Sequence, residues 1–405
     1  MRGEGWLYLV FGVLLASLLF HEALLFVVSL ILLLTGIASQ LWERYCLVGL
    51  AYTRKLGQSR AFFGEDVPLT VEIVNAKPLP LAWLEIDDTM PSAALPVSPG
   101  RLGPSHMPGR RLLSMLLSVR WYERVRRHYT VHCGARGYHP FGPATLRTGD
   151  VFGFATRELE IFQEDYLLVY PRIVSMDRLV LPARDPFGDV PQPRQWLFED
   201  PLRTVGVREY RAGDSPRRLH WKATARAPDQ QLQVKLLEPT TTHRLQVLLN
   251  VGTSRHNLAW QGYDPELLEA AITTAASIAN WAVEHGFQVG LGANARAYRS
   301  RAVLRLPSSR DPRQLMHVLE ALATLVPMPT LSPADLVALE AQDLPYGTTV
   351  AMVSCIAEED LLQQLARLRR AGHRPVLFLV GDAAVETGRS VDGIAVRRVR
   401  VEDTQ

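Results

Sequence analysis

Asp214 and His220 lie six residues apart in a run that also holds Arg208, Arg211, Arg217, Arg218, Lys222 and Arg226. A carboxylate and an imidazole can serve as acid and base, and guanidinium groups can clamp an anionic substrate through paired hydrogen bonds. No nucleophile with a recognisable partner accompanies them, and six residues counted from a helix cap do not bring Asp214 and His220 onto one face. Two other readings compete with catalysis. In one, Asp214 caps a helix, Trp221 packs and the arginines pair with acids to lock the segment in place; in the other, a basic face docks an acidic partner protein. Eight basic residues between Arg203 and Lys235 meet only Glu209, Asp214 and Asp229, so the local charge is positive.

The local physics of this stretch predicts a turn and a short helix. Gly213 supplies the turn, Asp214 or Ser215 can accept from free helix N–H groups, and Pro216 suits the first helical position. A helix from Pro216 to Ala225 would direct Leu219, Ala223 and Trp221 toward a core and leave Arg217, Arg218, Lys222 and Arg226 around it.

Other candidate groups are weaker. His128 and His132 share a strand face and could bind a metal, yet no third ligand is recognisable. Cys46, Cys133 and Cys355 are too far apart for a zinc motif or a disulfide framework, and Cys355 ends an apolar strand as a packed, inert thiol. Gly381 to Ser390 lacks the spacing and the lysine of a phosphate-binding loop, and Gly290-Leu291-Gly292 lacks the third glycine of a dinucleotide fingerprint.

The elements that must position these residues fall into three kinds. From His243 onward apolar strands alternate with amphipathic helices: strands near 245–251, 287–291, 348–354 and 375–380, and helices near 265–285, 311–325 and 358–371. That order predicts a largely parallel sheet covered on both faces, with any ligand at the carboxyl ends of the strands. From Ala61 to Tyr170 short runs alternate with period two, as in Leu69–Val74 and Tyr129–Cys133, between Gly and Pro clusters; this is the spacing of a β-sandwich. Arginine is dense there, which suits either an anionic surface near a bilayer or a solvated strand face.

The N-terminus is apolar from Trp6 to Phe20 and from Ala23 to Ala38, with only His21 and Glu22 between. Two membrane helices turning at that pair are expected, with a single span by the second half as the alternative. The apolar length exceeds that of a cleaved signal peptide. Arg44, Arg54, Lys55 and Arg60 follow the second stretch against Glu43 alone, which would keep both termini in the cytoplasm. The expected boundaries are 1–43 for the hairpin, 44–200 for the β-sandwich-like domain, 201–240 for the basic segment and 241–405 for the α/β domain. The 405 residues are 47% apolar and 21% charged with a net charge of +3, which excludes a disordered chain and gives no reason to expect a protein that coats nucleic acid.

The pattern R-x-Y-x-x-G-D-x-x-R-x-x-x-W-x-x-x-A-R resembles the hallmark of the DUF58 family. It is met by Arg208, Tyr210, Gly213, Asp214, Arg217, Trp221, Ala225 and Arg226, with echoes upstream at Arg136-Gly137-Tyr138, Asp150–Phe154 and Val169–Arg172. The resemblance implies a membrane hairpin, a β-rich region and a C-terminal Rossmann-like, von Willebrand A-like α/β domain, in proteins often found beside MoxR-type AAA+ ATPases. Von Willebrand A domains hold a divalent ion with a D-x-S-x-S turn after their first strand. The corresponding residues here are Asn250, Gly252 and Ser254, and Ser354-Cys355 follows a later strand where related proteins often carry an acid. Hard cations need oxygen ligands that usually include carboxylates, so no tight metal is expected unless Glu358 or Glu359 contributes. No cofactor is expected.

The resulting expectation is a non-enzymatic accessory protein in the cell membrane, multi-pass, partnering a MoxR-type ATPase in assembly or remodelling of a protein complex. Its docking residues would be Arg208, Tyr210, Gly213, Asp214, Arg217, Arg218, Trp221 and Arg226. The alternative is a membrane-bound hydrolase or transferase acting on an anionic substrate around Asp214, Arg217 and His220.

Overall fold

The computed structural model describes residues 4–20, 23–91, 96–100, 102–150, 156–179, 198–210, 219–226, 231–240, 244–253, 264–298, 300–381 and 393–404. The chain divides into two compact units, Met1–Tyr170 and Pro171–Gln405.

The first unit opens with helices α1 (Glu4–Leu19) and α2 (Ala23–Tyr45), which pack on each other. Among the described residues α2 is the one helix long and apolar enough to cross a membrane. Its 23 residues reach about 34 Å at 1.5 Å per residue. The 16 residues of α1 reach only about 24 Å, short of a hydrocarbon layer about 30 Å thick, so two crossings are not supported. Only 17% of the apolar stretch of α2 is buried, whereas the core helix of a globular body would be mostly covered. His21 and Glu22, the expected turn, lie outside the described residues.

The strands of this unit are β1 (Leu50–Leu56), β2 (Arg60–Ala61), β3 (Asp66–Asn75), β4 (Leu81–Met90), β5 (Val97–Ser98), β6 (Leu102–Pro104), β7 (Arg111–Val119), β8 (Arg124–His132), β9 (Gly137–Phe141), β10 (Ala144–Gly149), β11 (Thr156–Ile161) and β12 (Asp165–Val169). They form a sheet β1-β3-β8-β5, a second sheet β11-β10-β4-β7-β6, and a small sheet β2-β12-β9. The period-two pattern explains the pairing. Alternate residues Val67, Leu69, Val71 and Ile73 of β3 are fully buried: Val71 and Ile73 meet Leu84 and Ile86 of β4 and Leu146 of β10 in one apolar cluster, and Val67 and Leu69 meet Met90, Leu113 and Phe141 in another. His128 and His132 do share the outer face, but each has its own neighbour: His128 Nδ1 lies 3.2 Å from Thr70 Oγ1 and His132 Nδ1 lies 2.8 Å from Asp66 Oδ1.

A fully buried arginine crosses this core. Arg54 Nε donates to Asp165 at 3.0 Å, Nη1 to Asp88, and Nη2 to the carbonyls of Phe141 (3.0 Å) and Gln163 (2.6 Å). Tyr52 donates its hydroxyl to Asp88 at 2.5 Å. Burial pushes the Asp88 carboxyl up to about 6, while Arg54 and the Tyr52 hydroxyl pull it down.

His139 on β9 approaches the Ala135 carbonyl at 3.0 Å through Nε2. Burial lowers its proton affinity below the ordinary 6.5, against the pull of backbone carbonyls. The folded state therefore binds this proton less readily than the unfolded chain. The stability His139 contributes is whole above pH 6.5 and lost as the pH falls below it. His139→Gln is expected to flatten the decline of the urea midpoint as the pH falls below 6.5, measured on the full chain in micelles.

The second unit holds α3 (Met176–Leu179), β13 (Phe198–Glu209), α4 (Trp221–Thr224), β14 (Gln233–Thr240), β15 (Arg244–Leu249), α5 (Pro265–Glu284), β16 (Gln288–Arg296), β17 (Val303–Ser309), α6 (Gln314–Ala323), α7 (Pro333–Ala341), β18 (Thr349–Ser354), α8 (Glu359–Arg370), β19 (Arg374–Val380) and β20 (Ala395–Val399). Strands β13 and β14 pair as an antiparallel ribbon. The other six form one sheet in the order β17-β16-β15-β18-β19-β20, parallel except for β17. Burial of nearly every residue of β15, β18 and β19 accounts for their continuous apolar runs. Helix starts follow their caps: Asp264 accepts from Glu266 N and Leu267 N before Pro265 opens α5, and Ser332 accepts from Asp335 N before α7.

Candidate functional site

The β13–β14 ribbon brings the two halves of the basic segment together. Arg208 pairs with Val234 and Glu209 with Gln233. Tyr210 N donates to Leu232 O at 2.8 Å, which closes the ribbon's open end. On the other side of β14, Leu219 bridges Val234 and His220 N donates to Gln233 O at 2.7 Å. Gln233 N in turn donates to Thr224 Oγ1 at 2.9 Å, so one strand end carries Arg208 and Tyr210 on one flank and residues 219–226 on the other.

The expected helix from Pro216 to Ala225 is shorter than its sequence suggests. Leu219 is in a β-bridge, α4 starts at Trp221, and His220 caps it by accepting from Ala223 N on Nδ1 at 3.0 Å. Pairing with β14 outcompetes the propensity of Leu219 for helix. The cap occupies the Nδ1 lone pair of His220, which removes that nitrogen as a base. Trp221, expected toward a core, is 69% exposed instead, because a helix of one turn on a two-stranded ribbon has no interior to offer.

Exposed groups occur along the ribbon and its cap: Val207 (46%) on β13, Tyr210 (37%) just after it, Leu232 (42%) before β14, and Lys222 and Arg226 on the segment of Trp221. Arg208 Nη1 donates to Glu209 O at 3.1 Å. Gly213, Asp214, Arg217 and Arg218 lie outside the described residues. The described part of this segment offers exposed aromatic rings together with exposed cations.

The second candidate lies at the carboxyl ends of β15, β16 and β18. Asn250 Nδ2 donates to Ser354 Oγ at 2.9 Å, and its Oδ1 accepts from Asn294 Nδ2 (2.8 Å) and Gly252 N (3.0 Å). Asn294 Oδ1 accepts from Val251 N at 2.9 Å, its Nδ2 also reaches Leu331 O at 3.1 Å, and Ser354 Oγ donates to Ile356 O at 2.6 Å. Asn250, Asn294 and Ser354 are all buried, and the network they make is neutral. The amide oxygens of Asn250 and Asn294 accept from N–H groups and carry no formal charge. Ser254 lies outside the described residues, and Glu358 and Glu359 are exposed at the start of α8. Among the described residues no three His, Cys, Asp or Glu side chains gather as metal ligands.

Asn294 was not recognisable as a member of this network from the sequence; its one signal is a polar residue in an otherwise small and apolar strand. Cys355, next to it, has its thiol against Leu267 O at 3.6 Å, and burial, aided by Asp264, pushes its pKa up to about 12. Burial likewise raises Cys133 to about 11 and lifts Cys46 above its ordinary value. The native chain is therefore expected to give no fast reaction with a disulfide reagent at pH 8, and three thiols after denaturation. One fast thiol in the native chain would contradict this packing.

The chain is 25% identical to the uncharacterized protein YeaD of Bacillus subtilis (strain 168) over 240 residues, which is 59% of this chain and 54% of that protein. The match thus spans about half the length of that curated relative. Among solved structures, the CARDB domain of PF1109 from Pyrococcus furiosus in complex with di-metal ions aligns at a TM-score of 0.19 and 8% identity, covering 30% of this chain and 91% of the domain. The C-terminal domain of wzt aligns at 0.21 and 8%, covering 31% and 75%. Likenesses at those scores carry no weight for fold or function. Residues 206–382, from the basic ribbon through β19, match the family model described as a protein of unknown function, DUF58.

Proposed function

We propose that this chain is a membrane-tethered, non-enzymatic accessory protein whose β13–β14 ribbon docks a partner protein. The observation that carries this is Trp221, exposed on a short cap with the exposed Lys222 and Arg226 on the same segment, while Tyr210 is exposed across β14 on the opposite flank. Trp, Tyr and Arg dominate binding energy at protein interfaces, and a desolvated tryptophan supplies much of it. The family likeness supports a MoxR-type AAA+ ATPase as the partner, with the ATPase supplying the work and this chain fixing its place. The neutral amide network where a cation-holding turn would lie supports a contact role for the α/β unit as well. Counted within that unit, its strands run 3-2-1-4-5-6, the order of doubly wound folds, and we read it as a von Willebrand A-like domain without its cation.

In this reading α2 crosses the cell membrane, α1 accompanies it, and the basic residues after α2 keep the rest in the cytoplasm. The partner is sought by crosslinking in native membranes and capturing the full chain. Recovery of a AAA+ ATPase supports the reading. Its absence, together with turnover of an anionic substrate that depends on His220, would replace it with the hydrolase or transferase alternative.

A further inference from the structure

Strand register within the first unit shows which end of the sandwich meets α2. The pairs Leu50↔Asn75, Val74↔Arg124, Leu81↔Val119 and Leu84↔Thr148 bring Asn75, Leu81, Val119, Arg124 and Gly149 to a single end. The last turns of α2 seat there. Ser39 donates to Asp150 at 2.8 Å, Arg157 pairs with Glu43 at 3.1 Å, and Lys77 Nζ donates to the carbonyl of Cys46 just beyond the helix. Trp42 and Leu47 pack against the apolar cluster at that end. The helix and the sandwich are thus one piece at this junction.

The β7–β8 turn belongs to the same junction. Asn75 Nδ2 donates to Arg120 O at 2.8 Å, Asn75 N to Glu123 O at 2.9 Å, and Tyr122 N to Lys77 O at 3.2 Å. Arg120 N donates to Glu123 Oε2 at 2.6 Å, which tightens the turn, and Tyr122 holds a left-handed φ of 52°. From this turn Trp121 and Tyr122 project 64% and 69% exposed between the exposed Arg120 and Arg124. Arg124 shares Glu72 with Arg126 and Lys55, so the adjoining sheet face stays positive.

We infer that the Trp121-Tyr122 tip seats in the headgroup layer of the same bilayer that α2 crosses, as a second anchor that fixes the tilt of the sandwich. Trp and Tyr favour that layer because each has an apolar ring and a polar tip, and arginines beside them suit an anionic leaflet. The turn is braced by backbone and side-chain bonds to the junction, so the two rings are presented on a rigid mount. The inference rests on the reading of α2 as a membrane-crossing helix, and its test separates the two.

The full chain is reconstituted in phosphatidylcholine–phosphatidylglycerol vesicles doped with a phospholipid whose photoreactive diazirine lies just below the glycerol esters. After irradiation, adducts are located by mass spectrometry. Phe62, Met107 and Phe162, exposed at the far end of the sandwich, are the internal comparison. The expected result is adducts within α2 and at Trp121 or Tyr122, the latter at least tenfold above the far-end residues. Adducts in α2 with the tip no more labelled than the far end would overturn the second anchor and leave the crossing standing. A chain with no adducts in α2 would overturn both.

Discussion

Arg54→Met is expected to lower the stability of the β unit by about 3–5 kcal/mol, the cost of removing one partner from a buried charge pair. The variant keeps the apolar stem but takes the guanidinium donor from four acceptors at once, Asp165 among them. Asp88 loses its cation while fully buried, and the carbonyls of Phe141 and Gln163 lose their donor. The deficit should depend on pH with a definite sign. Without Arg54 the folded-state pKa of Asp88, already raised by burial to about 6, moves further above its unfolded value. A raised carboxyl favours the folded state at low pH and loses that contribution as pH rises, so the gap between variant and wild type narrows toward acid. Urea denaturation of the full chain in micelles at pH 5 and pH 8 reads both effects. A loss below about 1 kcal/mol would mean that Arg54 is not the buried hub described above.

Trp221→Ala should weaken capture of the partner by at least about 30-fold, corresponding to roughly 2 kcal/mol for a hot-spot side chain. Because the ring is 69% exposed in the free chain, the same change should leave the unfolding midpoint within error. That contrast separates a docking residue from a packing one. Lys222→Glu and Arg226→Glu, at the rim, should act mainly on association rate and lose their effect in high salt. Titration of the purified ATPase against the full chain in nanodiscs supplies the affinities. Equal affinities for wild type and Trp221→Ala would remove the ribbon from the interface.

Local periodicity makes much of this fold legible in the sequence. Leu69–Val74 falls within β3, Tyr129–His132 within β8, and the apolar runs near 245–251, 348–354 and 375–380 became β15, β18 and β19. Helices α6 and α8 were equally plain, because each buries one face of a 3.6-residue pattern, and α5, buried all round from Ala270 to Ala279, was legible from its length and its Asp264-Pro265 start. What stayed hidden depends on partners distant in sequence. β17 at the sheet edge is only partly buried, and its Val303–Ser309 run, with Pro307 inside it, carries no clean alternation. The ribbon β13–β14 was concealed by two register shifts and by helix-like composition at residues 216–225.

The candidate site divides in the same way. Asn250 and Gly252 could be singled out by position, but Asn294 joins them only through the pairing of β15 with β16. Trp221 was conspicuous as a residue type, yet its exposure follows from Leu219 choosing a β-bridge over a helical turn. Arg54 read as one more positive charge after an apolar helix, since Asp88 and Asp165 reach it only after strands β4 and β12 are in place.

The most direct test of a docking role is amide hydrogen exchange of the full chain in nanodiscs, with and without the ATPase and its nucleotide. Protection concentrated at residues 207–210, 219–226 and 231–236 is the expected result, since these peptides surround Tyr210 and Trp221. Binding that leaves those peptides exchanging at their free rates would contradict the proposal that the ribbon carries the interface.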